Sequence, residues 1–463
     1  QVKKRLGGRW GERKRKRELD ARGQFTGVKH RLPNSKRTRL LVQQRSTTSP
    51  HINVTEACRF LHTDWHSESS SVISWSPSVR TTRLRVASTL SMPSEVPAPS
   101  LTLGRPFRKS ASASSRSVCS DGDAVRATDS DALGSRLAAC RAGYLTPDIY
   151  AELLATEAPV PSLSIRRPPL ISIGTYLRSC ETDSLVQRFI DTGTIGRTDS
   201  FDGRALSSPS KVQIISLGAG SDTRFWRMGC VPKVARFIEL DFPETTALKA
   251  ACIQRHAPLH EALTDVHISE HVFESSKYVL VGADIGSLAT RHEWETRVGR
   301  FLDASLPTLI LCECVLAYMD VSVADEMLRT CFSTLGQVSL LSYDMCISSD
   351  RKDRPDDHTA YDTEPTRFGK VMLQNLSARK LILPGARQCT TPAAYKERFE
   401  QLARSERAYS SCSAAHTLRD AWHNLDRRER ARVSMLEHLD EIEELEMLLG
   451  HYCMAWIDRI IVQ

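Results

Sequence analysis

From residue 212 onward the chain alternates short apolar runs with amphipathic stretches. The runs are VQIISL (212–217), VARFIELD (234–241), YVLVGADI (278–285), LPTLILCECVLAY (306–318) and VSLLSYDM (338–345). Apolar runs of this kind, bounded by glycine, proline or acidic residues, read as buried strands. Between them, 243–256 has the composition of a helix, and 323–335 places Met327, Leu328, Cys331 and Phe332 at helical spacing. Strand and helix in alternation predict an α/β chain with a doubly wound, mostly parallel sheet. Upstream, DSDALGSRLAACRAGYLTPDIY (129–150) carries Leu133, Leu137, Ala138 and Arg141 at helical spacing and breaks at Gly143. A proline-rich loop (158–170) precedes one or two helices over 171–191, where Arg178 stands among Leu177, Leu185, Phe189 and Ile190.

Downstream of the fifth strand, the polar stretch 348–364 reads as a surface insertion. Helices are predicted over 368–375, 393–402 and 427–450, the last through Val433, Leu436, Leu439, Ile442 and Leu445, and 452–462 reads as a closing strand. No repeat of 20–50 residues is visible, which excludes a solenoid or propeller. Order is expected from about Ala124. Residues 1–115 are rich in Arg, Ser, Thr and Pro, poor in acids and without apolar periodicity, so they predict a disordered extension ahead of one folded domain at 116–463.

Composition changes this picture in few places. The net charge of +8 is concentrated early, in Lys3-Lys4-Arg5 and Arg13–Arg17. Such a run could touch nucleic acid or act as a nuclear address. An Arg- and Ser-rich, acid-poor leader also has the composition of a transit peptide. The reading favoured is a solvated extension with no role in catalysis, and nucleic acid is not an expected partner. No apolar run approaches the roughly 20 residues of a membrane span. The 13 cysteines form no CxxC pair, which argues against a zinc site or disulfide framework and for a reducing compartment, the cytoplasm with the nucleus as a second location. His256, His260, His267 and His271 are spaced suggestively but lie in a segment with no cysteine beyond Cys252, so no metal site is expected.

The candidate chemistry sits where the strands end. Gly218-Ala219-Gly220 closes the first, with Asp222 and Thr223 after it. Glycine there lets the backbone turn sharply and a ligand approach without meeting a Cβ. Asp241, Asp284 and Glu313 follow at or near the ends of the next three strands. Gly218 and Asp241 are separated by close to the ~20 residues between a phosphate-side glycine and a ribose-binding carboxylate in nucleotide folds. Asp284 with Ile285 could bond an adenine amino group and pack on its ring. A dinucleotide loop would need a third glycine where Thr223 stands, so adenosine without phosphate, as in S-adenosylmethionine, fits better.

In these motifs the chain resembles the leucine carboxyl methyltransferase family, which is similar to class I S-adenosylmethionine-dependent methyltransferases. GYLTPDIY (143–150), GTYLR (174–178), LGAGSDTRFWR (217–227), FIELDFP (237–243), VGADI (281–285), CECVLAYM (312–319), RFGKVMLQNL (367–376) and EHLDEIEELEMLLGHYCMAW (437–456) carry the likeness. It implies a Rossmann-like sheet with an N-terminal helical cap and substrate-side helical insertions. It implies S-adenosylmethionine contacts at Arg178, Gly218, Asp241, Asp284, Ile285 and Glu313. The chemistry of methyl transfer to a carboxylate adds Arg178 and Tyr318 as the groups that could hold the carboxylates. The implied substrate is the C-terminal leucine carboxylate of the protein phosphatase 2A catalytic subunit, methylated to an ester by a monomeric enzyme. Two departures stand out. A lysine that the family carries on the first helix aligns with Ser135, beside Arg136, and the 348–364 insertion lengthens a loop. A related tRNA wybutosine-pathway methyltransferase carries a C-terminal propeller, for which this chain leaves no room, and an inactive binding protein on the same fold is the remaining alternative. An α-carboxyl with pKa about 3.3–3.7 is already ionised at pH 7, so methyl transfer to it needs no general base.

Overall fold

Strand β1 (Val212–Leu217) is buried at all six positions, as a strand covered by helices on both faces must be. It lies at the centre of a nine-stranded sheet of order β3-β4-β5-β2-β1-β6-β7-β9-β8. Strands β2 (Val234–Asp241), β5 (Tyr278–Gly282), β6 (Thr308–Glu313) and β7 (Gln337–Met345) join β1 in one parallel block. A hairpin of β3 (His267–Ser269) and β4 (Val272–Glu274) and the pair β8 (Tyr409–Thr417) and β9 (Tyr452–Ile461) extend its two edges antiparallel. The molecule is seen in a computed structural model that describes residues 121–156, 166–196, 208–348, 364–404 and 409–461. The expected extension 1–115 and nearly all of the 348–364 insertion lie outside the described residues.

Chain order runs from β1 outward to β2 and β5, then returns across β1 to β6 and β7, so strand order reverses between β1 and β6. That reversal opens a crevice at the carboxyl ends of the strands. The helices relevant to it are α1 (Asp121–Arg141), α2 (Ile149–Ala155), α3 (Pro169–Thr192), α4 (Pro243–Arg255), α5 (Val321–Thr334), α6 (Arg367–Ala378), α7 (Pro392–Leu402), α8 (Arg427–Ser434) and α9 (Ile442–Leu449). The two faces of the sheet carry separate cores. Phe189, Phe225, Phe237 and Tyr278 belong to one and Trp294, Met327, Tyr395 and Phe399 to the other.

Five expectations shift. The stretch 171–191 is one helix, started two residues early by Pro169, whose fixed φ suits the first helical position. The run 278–285 stops being strand at Gly282, and Asp284 turns the chain by accepting from the Gly286 amide at 2.9 Å. The run 306–318 stops at Glu313, because Cys314 adopts φ +58 and ends the pleat. The helix expected over 427–450 is two, α8 and α9, joined by a turn. Glu441, Glu443 and Glu444 sit best at a fresh helix N-terminus, where the dipole is positive, rather than mid-helix. Strand β8, with the polar sequence YSSCSAAHT, was not expected at all.

Candidate cofactor and substrate site

One cavity of about 1170 Å³ occupies the crevice, and Arg178, Gly218, Asp241, Asp284, Ile285, Glu313 and Tyr318 all line it. The loop after β1 is shaped by two glycines in the left-handed region, Gly218 at φ +63 and Gly220 at φ +46. A Cβ on Gly218 would lie 2.6 Å from Val315 Cγ2, and one on Gly220 would lie 2.3 Å from Asp129 Oδ1. Both positions therefore favour glycine for φ, and a side chain at either would also force Val315 or Asp129 to move. Asp241 fixes the loop from the next strand: Gly220 N donates to its Oδ2 at 2.8 Å and Phe242 N to its Oδ1 at 2.7 Å. A carboxylate offers about four acceptor sites, so two bonds leave capacity for ligand hydroxyls. Burial pushes the Asp241 carboxyl up, against the pull of those two amides.

Asp284 caps the short helical turn that carries Ile285 and also lines the cavity, so capping and ligand contact coexist in one side chain. At the end of β6, Glu313 is gripped from both sides. Arg178 Nε donates to Oε1, and Arg224 Nη1 donates to Oε2 at 2.6 Å. Burial alone would raise the Glu313 carboxyl, but the two guanidinium groups prevail and hold it at about 2. Arg178 lies on α3 over the Tyr343 ring at 5.1 Å, and Tyr343 stacks on Tyr452.

Sequence reasoning missed the charge network behind this pair. Buried Arg224 also donates to Asp183 Oδ1 at 2.7 Å and to Asp222 Oδ2 at 2.9 Å, and Arg227 donates to Asp183 Oδ2 at 2.5 Å. Thr223 donates to Asp148 Oδ2 at 2.7 Å, which also accepts from Arg136 at 2.8 Å. Burial opposes the Asp183 charge, yet Arg227 and Arg224 hold that carboxyl well below its ordinary range. Arg224 closes the same LGAGSDTR motif that supplied the glycines, so its place beside Asp222 was the available signal.

The leucine carboxyl methyltransferase family profile matches residues 124–332. Leucine carboxyl methyltransferase 1 of Mycosarcoma maydis is 35% identical over 420 residues, covering 73% of this chain and 78% of that protein. The chain belongs to the leucine carboxyl methyltransferase family. Its counterpart in Cryptococcus neoformans var. neoformans is 32% identical, over 72% of this chain and 92% of that one. Among solved structures, geranyl diphosphate C-methyltransferase from Streptomyces coelicolor A3(2) is similar at a TM-score of 0.34 and 10% identity, over 66% of this chain and 86% of that one. As a family member this is a carboxyl methyltransferase, and its cofactor is S-adenosylmethionine.

The cavity suits that cofactor: Gly218 and Gly220 bring backbone without a Cβ to its wall, and carboxylates stand at the ends of β2 and β6 and just beyond β5. Ser135 on α1, where the resemblance implied a lysine, donates its hydroxyl to the Asp131 carbonyl of its own helix at 2.8 Å. Neighbouring Arg136 is committed to Asp148 and to Ser179 at 3.3 Å. No group of three or more metal-ligating side chains occurs among the described residues. His256 instead pairs with Thr156 at 3.1 Å.

Behind Tyr318, buried Asp344 supports the 316–318 turn, accepting from Ala317 N at 3.3 Å and from Ser342 Oγ at 2.7 Å. Burial pushes its carboxyl up to about 7, partly offset by those two donors. A raised carboxyl is protonated in the fold below its folded pKa, and stability is lost as pH rises from about 4 through 7 and charge is forced into the interior. Asp344→Asn stays neutral throughout. Its stability relative to the wild type should therefore rise between pH 5 and pH 8, by on the order of 2 kcal/mol. Denaturant unfolding at the two pH values measures this, and a pH-independent gap would show that Asp344 does not titrate there.

Proposed function

We propose that this methyltransferase esterifies the C-terminal leucine α-carboxylate of the protein phosphatase 2A catalytic subunit. The observation that carries the reading is the cavity itself. Single-ligand pockets run to about 300–1,000 Å³, so about 1170 Å³ has room for cofactor and substrate together. Phe368, Met372, Leu376 and Leu381 give it an apolar wall suited to a leucine side chain. S-adenosylmethionine supplies the electrophilic methyl group when bound. In this reading Gly218, Asp241, Asp284, Ile285 and Glu313 hold the cofactor. Arg178, its guanidinium fixed by Glu313, orients carboxylate oxygens. Burial lifts the Tyr318 phenol well above its ordinary 10. It therefore stays a neutral donor at pH 7 and can hold a carboxylate without giving up its own proton. The work of the chain is to position an ionised, weakly nucleophilic oxygen and to exclude water around it. We place the catalytic unit at 116–463 and the enzyme in the cytoplasm.

Incubation with methyl-labelled cofactor and the phosphatase subunit should label that subunit, and alkali should release the label as methanol. Label that survives alkali, or that enters a subunit lacking its terminal leucine, would overturn the assignment.

A further inference from the structure

The cavity carries a second group of charges that the glycine loop and Arg178 do not use. Asp131 on α1 stands between two arginines from different elements. Arg379, which caps the C-terminus of α6, donates from Nη2 to Asp131 Oδ2 at 2.5 Å. Arg167, just ahead of α3, brings its Nη2 to 3.7 Å from Oδ1, an ion pair too long to be a hydrogen bond. Arg167 Nε and Nη2 are buried and have no hydrogen-bond partner among the described residues. An unpaired buried donor is costly, and an acceptor arriving with a ligand removes that cost. The Asp131 and Arg379 side chains are 41% and 54% exposed, so neither is locked by packing. All three residues line the cavity beside Phe368, Met372 and Leu376. The positive charge of Arg379 also reaches Tyr318, favouring its ionised form against the burial that opposes it.

We propose that Arg167 and Arg379 form an anion subsite for an acidic side chain of the peptide substrate, and that Asp131 is its internal occupant while the substrate is absent. The inference deepens the reading above and rests on a peptide carboxylate being the substrate. Two arginines converging on one carboxylate give the planar, forked recognition that acidic side chains favour. The incoming acid takes the place of Asp131, which turns outward to water. The subsite then selects peptides by charge at a position other than the reacting terminus.

The test uses the full chain and dye-labelled hexapeptides that end in free leucine. One set carries aspartate at one of the three positions before the leucine, and the other carries asparagine there. Fluorescence anisotropy should show at least one acidic peptide binding about tenfold more tightly than its asparagine twin, equivalent to about 1.4 kcal/mol. Arg379→Gln and Arg167→Gln should erase that preference, so that within each variant the acidic peptides bind no more tightly than their asparagine twins. Asp131→Asn should tighten the acidic peptide beyond wild type, because it removes the competitor. Arg379 is the more exposed of the two arginines, so Arg379→Gln carries the test should Arg167→Gln fail to fold. Equal binding of both peptide sets by wild type, or a preference that survives Arg379→Gln, would overturn the subsite. If the preference appears and responds to the variants while neither peptide set gains methyl ester, the subsite stands and the leucine carboxylate reading falls.

Discussion

Glu313→Gln is expected to destabilise the fold by about 3–5 kcal/mol and to abolish cofactor binding. The magnitude is that of removing one member of a buried ion pair and leaving its partner uncompensated. Here Arg178, mostly buried, loses its carboxylate partner, while buried Arg224 loses one of three and keeps Asp183 and Asp222. Glutamine keeps the shape of glutamate but no charge, so the loss reports electrostatics rather than packing. The sign of its pH dependence follows from the held-down carboxyls. With the folded Glu313 pKa at about 2 and the unfolded value near 4.3, its contribution is complete above about pH 5. It disappears as pH falls toward 2. The stability gap between wild type and variant, measured by denaturant unfolding, should therefore close over that window. A gap that persists at pH 2 would show that the Glu313 charge is not what stabilises the wall.

Arg178→Lys should lower kcat about a hundredfold while changing cofactor affinity by less than tenfold. Lysine restores a cation opposite Glu313, which is already compensated on its other side by Arg224. It cannot bond Glu313 and present a planar fork to a carboxylate at the same time. A hundredfold loss is about 2.7 kcal/mol of transition-state stabilisation. Cofactor titration by calorimetry alongside turnover separates the two effects. Unchanged turnover would make Arg178 a wall residue only.

The strands were legible because they are buried on both faces and so read as near-continuous apolar runs: 212–217, 234–241 and the start of 278–285 appear in the fold as read. The acids at their ends were legible for the same reason, since a charge that closes an apolar run stands out. Arg224, Asp183 and Asp148 were not legible. Charged residues within helices and turns have the pattern of a solvated surface, and only folding brings these three together. The turn between α8 and α9 was hidden by periodicity that runs through it, because Leu436 and Leu439 still pack against the core from non-helical backbone. Strand β8 was hidden by composition, being an edge strand of serine, alanine and threonine. Its pairing with β9, not an apolar face, defines it.

The 2.3 Å that separates a hypothetical Cβ on Gly220 from Asp129 has a consequence for how this sequence can drift. Asp129 accepts from both the amide and the hydroxyl of Ser221, each at 2.7 Å, and it comes that close only because residue 220 has no side chain. A larger residue at 220 displaces the aspartate, and a chain without the aspartate loses one reason to keep the glycine. Positions 129 and 220, although 91 residues apart, are thus one heritable unit, and lineages in this family should exchange them together or not at all.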